Sequence, residues 1–273
     1  MVFIIFCSCE NETDRDKEGL IIYQENQISW VRNFEPLNPV SVCRWPTKGA
    51  IYEPLYIYNP IKTDWTPWLA TDYTWQENNK KLLFTIRTDV QWSDGQPFSA
   101  HDVAYTFNLT KEFPALDTRN YWDYLESVVA VSDTKIEANF NRVYVPGFDA
   151  IAGTYIIPKH IWSKIKDPLK FSNPDPIGTG PFTEILRFNS QVWELGKNHN
   201  YWQTGKPSIE KLVFPTFSSN EQTTLALLSG NLDWAGAFIP AIDRIYVDKD
   251  PEHHHYWFRN TGHSTFLLTN TKD

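Results

Sequence analysis

Residues Leu82 to Asn108, LLFTIRTDVQWSDGQPFSAHDVAYTFN, pass through three kinds of structure in one short run. Leu82, Phe84 and Ile86 alternate with Leu83, Thr85 and Arg87, the period-two pattern of a strand with one face buried and one wetted. Ser93-Asp94-Gly95 then predicts a turn, because Asp bonds its own backbone and Gly accepts a positive φ without a steric penalty. Ser99 stands three residues before Asp102, a near relative of the capping box, and Val103, Ala104 and Phe107 follow at the spacing of one buried helical stripe. A helix is therefore expected to start at about Ala100.

This stretch resembles the signature of the family 5 extracellular solute-binding proteins, the peptide, nickel and oligosaccharide receptors of ABC importers. Other segments fall in the order that family uses: IYEPLYIYNP (51–60), PWLATDYTW (67–75), IIPKHIW (156–162), PIGTGPF (176–182), NHNYWQTGKPSIEKLVF (198–214) and LALLSGNLDWA (225–235). The resemblance runs from about Leu20 to the last residue. It implies an α/β chain of the periplasmic-binding-protein-like class II (type 2) fold, in the cluster of large three-domain receptors. The expected division is a signal remnant and tether over 1–18, a first lobe over 19–49 and 176–273, and a smaller inserted subdomain over 50–175. Since the family continues for a comparable length beyond this point, the second lobe is expected to be largely missing, with an exposed apolar face near Phe266 to Leu268.

Composition narrows the partners. At 41% hydrophobic residues the 273-residue chain can build a real core. Its formal net charge of -8 argues against nucleic acid or an anionic membrane surface, since both would repel it. Twelve Trp bring the aromatic content to 15%, and each indole offers a broad apolar face and one N–H donor, suited to a β-rich core or to a ligand surface. Cys7, Cys9 and Cys43 are odd in number and form no disulfide framework. Met1 to Phe6 is apolar, and the following Cys7-Ser8-Cys9 looks like the tail of a bacterial lipoprotein signal, with Cys9 acylated and the polar stretch Glu10 to Glu18 as a tether. The alternative is an apolar end without consequence.

Further along, GLIIYQ (19–24) reads as the first strand, and Leu37-Asn38-Pro39 matches the loop that the family places at the mouth of its cleft. Trp65, Trp68 and Trp75 read as packing residues. Tyr121 to Val131 and Lys135 to Phe140 read as a strand pair, Phe182 to Phe188 as a strand paired with Val192 to Leu195, and Leu212 to Phe214 as another. Ser218 and Glu221 form an S-x-x-E pattern ahead of a helix over Asn220 to Ser229, whose Leu225 and Leu228 share one face and whose end is marked by Gly230.

Catalytic signatures are missing. Gly178-Thr179-Gly180 lacks the third glycine and the Lys-Ser or Lys-Thr of a phosphate cradle and reads as a tight turn. Consecutive imidazoles at His253, His254 and His255 do not converge on one metal in a strand or a helix. No G-x-S-x-G, H-E-x-x-H or C-x-x-C occurs, and no Asp or Glu pair stands out as the two opposed carboxylates a glycoside hydrolase needs.

The expected function is therefore capture of a small solute for an ABC importer, without catalysis, cofactor or metal. The expected location is the periplasm or cell surface, with permease subunits as partners and a lipid anchor as the only membrane contact. YWDYLESVVAVSD (121–133), YIIPKHIW (155–162) and GNLDWAGAFIP (230–240) most resemble the cellobiose and β-glucan oligosaccharide branch. An oligosaccharide is thus the first expectation, a short peptide the alternative, and glycoside hydrolysis a weaker third. The resemblance points to stacking residues in cleft loops: Trp30 and Trp45 from the first lobe, Tyr121 and Trp122 from the subdomain, and Trp234 and Phe238 after the capped helix. Asn38 and Asp233 are the hydrogen-bonding candidates. Each ring can equally serve the core, and Asn38 and Asp233 can equally bond local backbone.

Overall fold

The computed structural model of the chain describes residues 19–23, 26–37 and 47–256. Cys9, Asn38, Trp45 and the segment Phe266 to Leu268 lie outside them.

Strand β1 (Gly19–Tyr23) leads through an extended loop and a helical turn at Thr47–Ile51 to the hairpin β2 (Tyr56–Asn59) and β3 (Asp64–Pro67). β4 (Ala70–Gln76) and β5 (Lys81–Ile86) come next, then α1 (Ala100–Glu112), β6 (Leu125–Ser132) and β7 (Lys135–Phe140). These four strands form an antiparallel sheet in the order β4-β5-β7-β6. β5 buries Leu82, Phe84 and Ile86, and β7 buries Ile136, Ala138 and Phe140, so both alternations expected from the sequence hold. Helix α1 closes one face with Val103, Ala104 and Phe107, which share a core cluster with Leu82, Phe84 and Ile136. Its start is where the sequence puts it: Ser99 caps the helix and Asp102 Oδ2 accepts the Ser99 N–H at 2.9 Å, closing a reciprocal box.

Two short helices, α2 (Gly147–Ala152) and α3 (Lys159–Trp162), bring the chain back to β8 (Phe182–Phe188), β9 (Val192–Lys197) and β10 (Lys211–Pro215). Then follow α4 (Asn220–Leu228), β11 (Trp234–Ala235) and α5 (Ile242–Ile245). The second sheet has the order β11-β1-β10-β9-β8, with β1 parallel to both neighbours and facing Lys211 at Gly19 and Trp234 at Ile22. A second core cluster joins this sheet, through Trp193, Leu195 and Phe214, to Ile51, Tyr52, Leu109, Ile157 and Trp162. Helix α1 thus serves both cores, Phe107 in one and Leu109 in the other.

Four expectations change. The Gly178-Thr179-Gly180 segment is a chain crossing and not a tight turn: a β-carbon at Gly178 would overlap the Ile51 carbonyl and one at Gly180 that of Ala50, while Gly180 N–H donates to Ile51 O at 2.9 Å. The strand expected from Tyr121 begins only at Leu125, because Asn120 is left-handed (φ 52°) and Asp117 takes the Tyr121 and Trp122 N–H groups, winding 121–123 into a turn. Helix α4 is capped by Ser219, one residue later than expected; Gln222 N–H donates to its hydroxyl, and Gln222 Oε1 accepts from Ser218. That shift turns Thr223 and Leu227 inward and leaves Leu225 69% exposed. Gly230 does end the helix with φ +71°.

Candidate functional site

The segment 52–58 runs from one core to the other and brings three tyrosines with it. Tyr52 is fully buried and its hydroxyl accepts from Asn173 Nδ2, pinning the returning chain; burial raises its pKa. Tyr56 begins β2, and burial, with the charge of Asp72 next, lifts its hydroxyl to about 12. Tyr58 faces Trp65 across the β2–β3 hairpin with rings 5.3 Å apart. Trp65 meets Phe148 edge to face at 5.6 Å, and its indole passes over Gly153, where a β-carbon would stand 3.1 Å from the ring. Pro54 bridges to Tyr155, fixing that ring beside the same space.

These groups, together with Trp68 and Tyr201, wall a cavity of about 520 Å³. A smaller cavity of about 190 Å³ adjoins it and shares Arg119, Gly153 and Tyr155. The smaller one is lined by Thr106, Thr110, Thr118, Thr154 and Tyr121, and the Thr106, Thr110 and Thr154 hydroxyls each donate to a backbone carbonyl. Tyr121 is held there by an edge-to-face contact with Phe107 at 5.2 Å and a bond between its hydroxyl and Thr154 Oγ1. Arg119 is exposed where the cavities meet and donates to Ala150 O at 3.2 Å. Among the described residues the one carboxylate on either wall is Glu53, only 3% exposed. Burial pushes its carboxyl above the usual range, opposed by hydrogen bonds from Trp68, Trp202 and Tyr201. Flat rings with hydroxyls at their edges, one cation and one tethered anion suit binding of an uncharged polyhydroxylated or amide-rich solute.

The residues expected from the sequence are dispersed. Tyr121 lines the smaller cavity. Trp122 lines neither; its indole N–H donates to Thr110 Oγ1 at 3.0 Å and the Lys111 ammonium lies 4.4 Å over its face. Trp30 takes the core reading, 9% exposed and edge-on to Trp193 at 6.0 Å. Asp233 takes the local one: its Oδ2 accepts the Ile21 N–H at 2.8 Å beside the β1–β11 pairing, where Trp234 faces Ile22. Phe238 is 74% exposed on a separate apolar groove with Leu225 and Leu228. The histidines take separate partners: His253 with Asp250, His254 stacked on Tyr246 at 4.0 Å, His255 with Glu252 O. Sequence reasoning missed Glu53, Tyr58, Arg119, Tyr155 and Tyr201 as walls, and read Trp65 and Trp68 as packing alone. The period-two tyrosines of Tyr56 and Tyr58, on a strand too short to bury both faces, were the available signal.

Residues 64–273 match the model of the bacterial extracellular solute-binding proteins, family 5 (middle region). The chain belongs to this family. It is 30% identical over 224 residues to a nickel-binding periplasmic protein of Escherichia coli K12, covering 77% of this chain and 40% of that one. It is 28% identical over 235 residues to a probable ABC transporter-binding protein of Deinococcus radiodurans, covering 74% and 38%. Among solved structures, a mannohexaose-bound periplasmic oligopeptide-binding protein of an ABC transporter from Thermotoga maritima superimposes with a TM-score of 0.79 at 27% identity, over 91% of this chain and 46% of that one. The fold is the type 2 periplasmic-binding-protein fold of these family 5 receptors, and the chain spans about 40% of the length of the curated relatives it matches.

Proposed function

We propose that this chain contributes to the solute-binding component of an ABC importer and that its solute is an oligosaccharide, held without being transformed. The observation that carries this reading is the wall of the 520 Å³ cavity, where Tyr58, Trp65, Trp68, Tyr155 and Tyr201 line one space. Sugar rings present apolar C–H faces that stack on indoles and phenols, and their hydroxyls find partners in the tyrosine hydroxyls alongside. The mannohexaose bound to the Thermotoga maritima protein supports the same class. Arg119, exposed at the junction of the cavities, favours a second reading, a short peptide whose terminal carboxylate it would pair. Under either reading the protein works in the periplasm or at the cell surface with permease subunits, and Cys9 is the candidate lipid anchor. The working division places the first lobe at 19–49 and 176–273 and the subdomain at 50–175; it is supported by the five-stranded sheet lying outside 50–175 and the four-stranded sheet within it.

The test is calorimetric titration with mannohexaose, cellohexaose and a tripeptide, with Trp emission followed in parallel and the sugars assayed for cleavage. Saturable heat and an emission change with a hexaose, and intact sugar afterwards, support the reading. Response to the tripeptide alone moves it to peptides, and any cleavage removes it.

A further inference from the structure

The ring wall is gathered round Glu53. Its Oε1 accepts from Trp68 Nε1 at 2.7 Å and from Tyr201 Oη at 2.9 Å, and its Oε2 accepts from Trp202 Nε1 at 3.1 Å. The donors come from the segment after β3 and from the loop between β9 and β10, so one side chain ties together three places far apart in sequence. All three donors are neutral. The rings also brace one another: Trp68 meets Trp202 edge to face at 5.4 Å, and the Arg87 guanidinium, itself held by Asp89, covers Trp202 at 4.4 Å. An indole offers a donor and no acceptor, so two indoles and a phenol converging on one point need an acceptor-only group with two oxygens. A carboxylate meets that need and a carboxamide cannot. Stability alone does not call for it, since an apolar side chain filling the same space avoids desolvating a charge.

Two of the three rings that Glu53 holds, Trp68 and Tyr201, face the larger cavity. We infer that Glu53 is a positioning residue for solute binding: it fixes the angle and depth of the Trp68 and Tyr201 rings and so shapes the cavity for the flat faces of a sugar chain. This rests on the oligosaccharide reading above. Glu53→Gln keeps the volume, but whichever way the amide is turned, its NH2 faces an indole N–H, of Trp68 or of Trp202, and releases that ring. Tyr201→Phe is milder, removing one hydroxyl while keeping the ring.

The experiment records indole N–H resonances of 15N-labelled protein, assigned with Trp68→Phe and Trp202→Phe, alongside thermal unfolding and mannohexaose calorimetry. The expected result is an upfield shift of the Trp68 or Trp202 resonance in Glu53→Gln, with cooperative unfolding retained and Kd for mannohexaose raised about tenfold or more, the scale of a lost bond to a charged group. Tyr201→Phe is expected to raise Kd severalfold and decides the matter if Glu53→Gln does not fold. A folded Glu53→Gln, or Tyr201→Phe, that lowers the melting temperature yet keeps the wild-type Kd overturns the proposal and leaves Glu53 a stability element. Should wild-type protein take up no mannohexaose, the oligosaccharide reading falls separately. The indole shifts then decide alone, and unmoved resonances in Glu53→Gln overturn the positioning role.

Discussion

The two large sheets are built in opposite ways. The β4-β5-β7-β6 sheet is antiparallel and drawn from residues 70–140, and α1 covers it from inside the same interval. The β11-β1-β10-β9-β8 sheet instead takes its central strand from the start of the described chain and pairs it, in parallel, with β10 and β11 near the other end. One sheet needs only its neighbours in sequence; the other closes a very long loop before its middle strand has a partner. The larger cavity lies where the first kind of structure meets the second, on a segment, 50–58, that belongs to both cores. Solute binding at such a joint depends on the long-range contacts as much as on the local ones.

The crossing of 178–180 over 50–51 is the point where the two kinds of structure are locked together, and breaking it is expected to have the largest effect. Gly178→Ala or Gly180→Ala sets a β-carbon against the Ile51 or Ala50 carbonyl, with backbone on the other side and no flexible group to yield. We expect a loss of about 4 kcal/mol or more, the range of severe core and backbone clashes. Gly95→Ala is the comparison: its φ is +84° but nothing stands within 4 Å, so only the left-handed backbone is penalised, by about 1 kcal/mol. Urea unfolding of the three variants checks the order, and near-equal losses would mean that the crossing is able to give way.

Next in size come two core truncations that separate the sheets. Trp193 is fully buried in β9, stacked on Phe214 at 4.4 Å and tilted against Phe34 at 5.3 Å; Phe84 is fully buried in β5, stacked on Phe148 at 6.0 Å. Either residue changed to Ala is expected to cost about 3–5 kcal/mol. Hydrogen exchange sharpens the contrast: Trp193→Ala should release amides of β1 and β8–β10 while β5 and β7 stay protected. Simultaneous release of both sheets would show a single cooperative unit and remove the contrast.

The same contrast explains what the sequence allowed one to read. β5, β7 and the start of α1 follow from period and cap because each is decided by residues a few positions apart. Asp102 is half of what it looks like: its Oδ2 closes the box on Ser99, as the sequence suggests, but its Oδ1 accepts the Lys159 N–H at 2.9 Å and joins α1 to α3. Gly178 and Gly180 read as a tight turn and not as a crossing, since the reason for them is a carbonyl more than a hundred positions away. Glu53 was silent for the same cause; nothing within 51–60 announces that Tyr201 and Trp202 will donate to it. Trp30 stays open between two readings in the sequence because a lone aromatic in an extended loop looks the same in a cleft as against Trp193. Tyr121 reached a cavity wall because the turn forced by Asp117 and Asn120 aims it there.

Glu53 also predicts a pH effect at the joint. Burial, outweighing the hydrogen bonds made to it, puts its folded-state pKa above the ordinary 4.5, so the native state holds this proton more tightly than the unfolded chain. Its contribution is therefore most favourable below 4.5 and declines as pH rises from there to the raised native value, after which it is level. One proton limits the slope to about 1.4 kcal/mol per pH unit. Unfolding free energies of wild type and Glu53→Gln across that range isolate it: wild type minus variant should fall as pH rises and then flatten. A difference that rises with pH would show that the three donors outweigh burial and hold the pKa down.

The smallest effect compares the two long helices. Ser99 and Asp102 satisfy each other's backbone N–H groups at the start of α1, which packs into both cores. Ser219 accepts a single long bond, 3.4 Å, from Gln222 N–H at the start of α4, whose outer face carries the exposed Leu225. Ser99→Ala is therefore expected to cost about 1 kcal/mol and Ser219→Ala about half that. In Ser99→Ala the Asp102 side chain keeps both of its backbone bonds, to the N–H of residue 99 and to Lys159 N–H, so the loss should stay near that of a cap and not approach that of a core residue. If urea unfolding finds the two serines equal, the Ser99 hydroxyl is worth no more than a lone cap, and the firm start of α1 must come from the Asp102 bonds and its burial at the joint of the two cores.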